Sequence, residues 1–143
     1  MTTAKDLIAR FGLTRHPEGG WYRQTWIANA EGDTRPAGTA ILFLLQAGER
    51  SHWHNVDATE IWHFHAGAPL ALDMAATDSG PATRTVLGDV IQGHAPQAIV
   101  PPHHWQAAES TGDWSLVGCT VCPAFQFAGF ILAPKGFDIP VGA

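Results

Sequence analysis

The chain has 143 residues, of which 45% are apolar and 15% charged, with a formal net charge of -5. This is enough for one folded domain, residues 1–143, with a real core, and it excludes a disordered chain. Eight Lys and Arg against that acidic balance form no basic stripe, so small molecules are expected as partners rather than nucleic acid.

At the N-terminus, MTTAKDLIARFGL has no apolar run of signal-peptide length, and the most apolar stretch, AILFLLQAG at 40–48, is too short to span a bilayer. A cytoplasmic protein with no membrane association is expected. Residues 3–11 predict a short helix, with Thr3 and Asp6 as a capping box, Leu7, Ile8 and Phe11 on one face and Gly12 as the stop.

After this helix come short runs with strand character: WYRQTWIA, TAILFLLQ, EIWHFHA, LALDM, RTVLGDV, QAIV, WQAAES, WSLVGCTV and FQFAGFIL. Breaks fall at EGD, PAG, QAGERS, AGAP, TDSGPA, QGHAP, VPPHH and STGD. Many short strands with 15 Gly and 10 Pro predict an all-β antiparallel jelly roll. Cys119 and Cys122 form a lone C-x-x-C inside an apolar, β-branched stretch. In a strand, residues three apart point to opposite faces, so the two are expected to be structural and unpaired.

The densest chemistry lies in SHWHNVDATEIWHFHAG, residues 51–67, with four histidines and one glutamate. Its spacing resembles the first motif of the cupin superfamily, G-x5-H-x-H-x3/4-E-x6-G, through Gly48, His54, Glu60 and Gly67. Val56 falls in the second ligand place. In the second motif Pro101 aligns, His103 stands for a glycine and Gln106 for the metal-binding histidine. HPEGGWYRQTW, EIWHFHAGAPL, VPPHHWQAA and CTVCPAFQFAGFIL, in that order, resemble the Cupin 5 family, a domain of unknown function with an RmlC-like barrel. The chain departs from that family at Gln24, His103, Cys122 and Gln126.

The resemblance implies a double-stranded β-helix with a ligand-sized cavity, and a homodimer. Three functions are compatible with it. The first is a metal-independent isomerase or epimerase of a carbohydrate-like or other small polar substrate. In it His54 is the base and Glu60 orients the imidazole. Gln106 and Arg23 bind substrate oxygens, while Trp21, Trp62 and Trp105 wall the pocket. The second is a non-catalytic small-ligand-binding module with the same cavity. The third is a metal-dependent cupin whose divalent ion is held by His52, His54, Glu60 and His104, provided strand parity turns His52 and His104 inward. Even without a metal, His52 and His104 are candidate substrate contacts. Phe64 joins Glu60 and Trp62 on the inward face, which turns His63 and His65 outward.

Overall fold

The computed structural model describes residues 1–142. Helix α1 (Ala4–Phe11) forms as its sequence dictates. The Thr3 hydroxyl accepts from the Asp6 N–H and the Asp6 carboxylate accepts from the Thr3 N–H, which satisfies two of the helix's orphan donors. Gly12 ends it at φ 63°, a left-handed conformation that costs glycine little. The face bearing Leu7, Ile8 and Phe11 packs against Leu13, Leu44 and Leu116 on the outside of a sheet.

Eleven strands follow, arranged as two antiparallel sheets. The first has the order β1 (Thr14–Arg15), β2 (Trp21–Ile27), β3 (Thr39–Gln46), β10 (Trp114–Cys122), β5 (Thr59–Gly67) and β8 (Gln97–Val100). The second runs β11 (Phe130–Leu132), β4 (Arg50–Val56), β9 (Trp105–Ser110), β6 (Leu70–Ala75) and β7 (Thr83–Leu87). Three strand stretches do not follow the sequence expectation, and the first, RTVLGDV, is strand only as far as Leu87, with Asp89 and Val90 opening a 3-10 turn. Residues 50–56 form β4, although their polar, histidine-rich composition lacks an apolar alternation. In FQFAGFIL only the last three residues are strand, after a 3-10 turn at Phe127–Gly129.

Between the sheets lie Phe43, Leu45, Trp62, Leu70, Leu72, Leu87, Val100 and Val117, all nearly inaccessible. Truncating one of the large members would cost about 3–5 kcal/mol. Along β5 the expected parity holds: Glu60 and Trp62 are buried, while His63 bonds the Thr120 hydroxyl and the Gln97 amide outside, and His65 is exposed. Cys119 is buried and Cys122 exposed, both free, as their spacing predicted.

The turn between β8 and β9 holds the chain's non-glycine residue with positive φ, His103 at 65°, among the described residues. Its N–H bonds the Val56 carbonyl at 2.8 Å, which fixes the turn against the end of β4.

Candidate functional site

The site begins in the loop HPEGG. The His16 N–H bonds the Gly20 carbonyl and the Gly19 N–H bonds the His16 carbonyl, both at 3.0 Å, closing a tight turn. Gly19 and Gly20 take φ of 110° and 83°, and a Cβ on Gly19 would collide with the Arg50 carbonyl. Only glycine allows so close an approach to β4. The contact is completed by the His52 N–H, which donates to the Glu18 carbonyl at 2.8 Å. Glu18 is thereby pressed into the protein, 9% exposed.

On β4, Ser51 and His54 both reach the Glu18 carboxylate, although residues three apart in a regular strand face opposite ways. The register against β9 shifts between Ser51 and His54, and this irregularity re-aims the second side chain. The Ser51 hydroxyl donates to Glu18 Oε2, as does His54 Nδ1 at 2.9 Å. The same nitrogen lies 2.7 Å from the His52 carbonyl. Both neighbours of Nδ1 are acceptors, so Nδ1 carries a hydrogen and Nε2 is the ring nitrogen left for the cavity.

Burial opposes a charge on His54, but the Glu18 carboxylate outweighs it through charge and hydrogen bond, with Glu60 and the His52 carbonyl adding. The result is a pKa pushed up to about 9, an imidazolium at neutral pH. Burial likewise pushes Glu18 up, yet the His54 charge and hydrogen bond, with the Ser51 hydroxyl, hold it below its ordinary value. His16 accepts the Glu18 N–H on Nδ1, and burial lowers its pKa. It is therefore neutral, and its 3.2 Å approach to Glu18 is not an ion pair.

Glu60, on β5, faces the opposite balance. Burial raises its pKa first, the His54 charge pulls it down and the Glu18 charge pushes it up, leaving it at about 7. Its Oε1 accepts from Gln106 Nε2 at 2.9 Å, and Gln106 Oε1 accepts from the Trp62 indole at 2.7 Å. The Cys119 thiol lies beside this carboxyl. Its own pKa is driven well above the usual value by burial and by the Glu60 and Glu18 charges, so it stays a thiol.

These groups open onto a cavity of about 220 Å³ between the sheets. Its polar lining comprises His16, Glu18, Tyr22, Gln24, Thr39, His54, Glu60 and Cys119, and its apolar lining Ile41, Val121, Phe125 and Phe127. The aromatic residues at 125, 127 and 130 meet in two edge-on contacts and one tilted contact with centroids 5.0–5.9 Å apart, and Phe130 also meets the His54 ring at 5.6 Å. Arg35 holds this segment in place: its guanidinium grips Asp57 with two hydrogen bonds and the Ala124 carbonyl with a third.

Of the residues expected at the site, the structure brings His54 and Glu60 to the cavity, with Gln106 and Trp62 behind Glu60 rather than on the wall. The others lie elsewhere. Trp21 packs under α1 with the Arg15 guanidinium 4.7 Å over its ring. Arg23, on the outer face of β2, donates to the Phe11 carbonyl. Trp105 packs on Phe137, and Phe64 sits at the far end of the core beside a different depression. His52 turns to the Pro134 carbonyl at 3.1 Å because the β4 irregularity breaks its parity with His54. His104 borders an outer depression with Met74 and Pro101.

The four donors expected for a divalent ion are therefore not assembled. Among the described residues no group of three or more His, Cys, Asp or Glu side chains could hold a metal ion. The amide in the place of a fourth ligand has both ends committed, to Glu60 and to Trp62. The residues present do not fit a metal centre of the three-histidine, one-glutamate kind.

The residues that the sequence reading passed over are Glu18 above all, with His16, Tyr22, Gln24, Thr39, Cys119, Phe125 and Phe127. A usable signal lies in HPEGG at 16–20, whose adjacent glycines mark a backbone pressed against a neighbour.

A model of the cupin superfamily, for the domain of unknown function DUF985, matches residues 5–133. The chain belongs to this Cupin 5 family. A crystal structure of a Shewanella oneidensis protein is 39% identical, with a TM-score of 0.85 over 93% of this chain and 85% of the other. A hypothetical protein from Leishmania major is 29% identical, with a TM-score of 0.83 over 95% and 90% of the two chains. Oxalate decarboxylase from Bacillus subtilis is 11% identical, with a TM-score of 0.63 over 82% of this chain and 29% of that one, a likeness of fold alone. No curated protein matches the sequence. No helix is long and apolar enough to cross a membrane among the described residues.

Proposed function

We propose that this cupin binds a small polar organic compound and moves a proton at the carbon next to its carbonyl group, without a metal ion, as an isomerase or epimerase. The observation that carries the reading is the divergence of two buried carboxyls around one histidine. Glu18 is held ionised against His54, while Glu60 is poised near neutrality. Pairs of titratable groups whose surroundings drive their pKa values apart mark acid and base assignments.

The roles differ from those the sequence suggested. His54 is charged at neutral pH and cannot be the resting base, and its orienting partner is Glu18. Glu60 removes the proton, with a pKa matched to the working pH, for a contribution of roughly 10²–10⁴ in rate. The His54 imidazolium donates from Nε2 to the carbonyl oxygen as it gains charge, worth roughly 10²–10³. Delivering a proton to the opposite face of the same carbon completes an epimerisation, and delivering it to the neighbouring carbon, as the hydroxyl on the first carbon gives up its hydrogen, completes an isomerisation.

The test is deuterium incorporation from heavy water into candidate hydroxycarbonyl compounds, followed by NMR. Exchange should fall by about 10²–10⁴ in Glu60→Gln and persist in untagged protein treated with a chelator. Undiminished exchange in Glu60→Gln would remove the proposed base. Saturable binding with no exchange in the unaltered protein would make it a binding module instead.

A further inference from the structure

We propose that the cavity is selective for uncharged, short-chain hydroxycarbonyl compounds and rejects their phosphorylated, carboxylated and nucleotide-linked relatives. The carbonyl rests on the proton-transfer reading above; the rejection of anions rests on the cavity itself. None of the chain's eight Lys and Arg lines it. Arg23 is bound to the Phe11 carbonyl and Arg15 pairs with Glu49. Arg84 grips Asp73, and Arg35 is held by two hydrogen bonds to Asp57 and one to the Ala124 carbonyl.

The cationic group that does line the cavity, His54, is already matched by Glu18 at 2.9 Å. A second carboxyl, Glu60, faces the same space. A phosphate or carboxylate would therefore enter a partly enclosed chamber with no unmatched cation to receive it, which becomes more unfavourable the more fully the group is buried. Phosphate sites in proteins supply Arg, Lys or a helix N-terminus for this reason, and the cavity lining has neither basic side chain.

What it offers instead suits a neutral polar molecule with an apolar flank. Thr39 Oγ1 accepts from the Phe125 N–H at 3.0 Å, so its hydroxyl hydrogen is left to donate. Among the described residues the Tyr22 hydroxyl and the Gln24 amide make no hydrogen bond to another side chain, and both line the cavity. Ile41, Val121 and Phe125 form the apolar side. At about 220 Å³ the space is smaller than the roughly 300–1,000 Å³ usual for drug-sized ligands, which favours a short-chain molecule over a nucleotide.

The experiment compares matched pairs on isotope-labelled protein by amide chemical shift: dihydroxyacetone against its phosphate, and lactaldehyde against lactate. Saturable shifts at the amides of Glu18, Thr39, His54 and Glu60 with the uncharged member, at least tenfold weaker with the anion, support the proposal. Equal or tighter binding of either anion at those amides overturns it, and so does the absence of cavity shifts with both uncharged compounds. Deuterium exchange measured on the same samples separates the two claims: uncharged compounds that bind without exchanging sink the proton-transfer reading and leave the selectivity standing.

Discussion

The Glu18 carboxylate and His54 Nδ1 lie 2.9 Å apart, brought together from the turn before β2 and from β4 into one buried ion pair. A buried pair of this kind is costly to break, because the survivor keeps an unmatched charge. Since His54 has its pKa raised to about 9, its contribution is full below about 6.5 and disappears as pH rises through 9. Glu18, lowered, contributes above its ordinary value and loses that contribution in acid. Glu18→Gln is therefore expected to lower stability by about 3 kcal/mol near pH 6. The loss should shrink or change sign above about pH 9. Urea unfolding at the two pH values checks this, and an equal loss at both would mean the pair is not charged.

Glu60 gives the reverse pH dependence. Its raised pKa means the folded protein is favoured below about 4.5, and that this advantage is lost as pH climbs through 7. Glu60→Gln keeps the acceptor for Gln106 and cannot ionise. It should match the unaltered protein at about pH 4 and exceed it by on the order of 2–3 kcal/mol at pH 8. A variant equally or less stable at pH 8 contradicts a protonatable Glu60.

The proposed reaction inherits both values. The rate on a hydroxycarbonyl substrate should rise as Glu60 ionises near 7 and fall as His54 loses its proton near 9. Removing Glu18 as Glu18→Gln should move the alkaline limb to lower pH and leave the acid limb near 7 or slightly below. A fixed alkaline limb would detach it from His54.

His103 occupies a left-handed conformation where the family's motif carries glycine. A residue with a Cβ is disfavoured there by roughly 1 kcal/mol. His103→Gly should therefore raise stability by about 0.5–1 kcal/mol, read as a higher urea midpoint with unchanged slope. No gain would mean that the His103 side chain offsets its own strain.

We propose that the expected homodimer uses the outer edge of β2. This strand pairs with β1 only at Trp21 and Tyr22, and beyond them it carries Trp26 and Ile27 half exposed. An unpaired apolar edge is a template for a second chain. Trp26→Lys should shift the mass by light scattering from dimer to monomer, and a monomeric unaltered protein at micromolar concentration would refute the dimer.

The sheets, the helix and its caps were legible because apolar alternation and capping residues are local signals. TAILFLLQ, QAIV and WQAAES match β3, β8 and β9 residue for residue. The site was legible only on one side. Glu60 could be placed by parity along a regular strand, whereas β4 hides its strand character behind polar residues and carries an irregularity that no alternation predicts. Glu18 escaped because its position is set by Gly19 approaching a backbone that sequence does not bring to mind. For Trp21, Trp105 and Arg23 the sequence offers only residue type, which does not say which face of a sheet, or which end of a barrel, a side chain serves.

The Trp62 indole can only donate a hydrogen bond, so the oxygen of the Gln106 amide must face it and the nitrogen must face Glu60. That nitrogen has no lone pair to receive a hydrogen, which makes Glu60 Oε1 an acceptor in every protonation state. The proton that comes and goes near neutral pH is thereby confined to Oε2. A tryptophan that never reaches the cavity thus decides which of two chemically equivalent oxygens carries the titrating proton, and Trp62→Phe, by freeing the amide to flip, would erase that distinction without touching the wall.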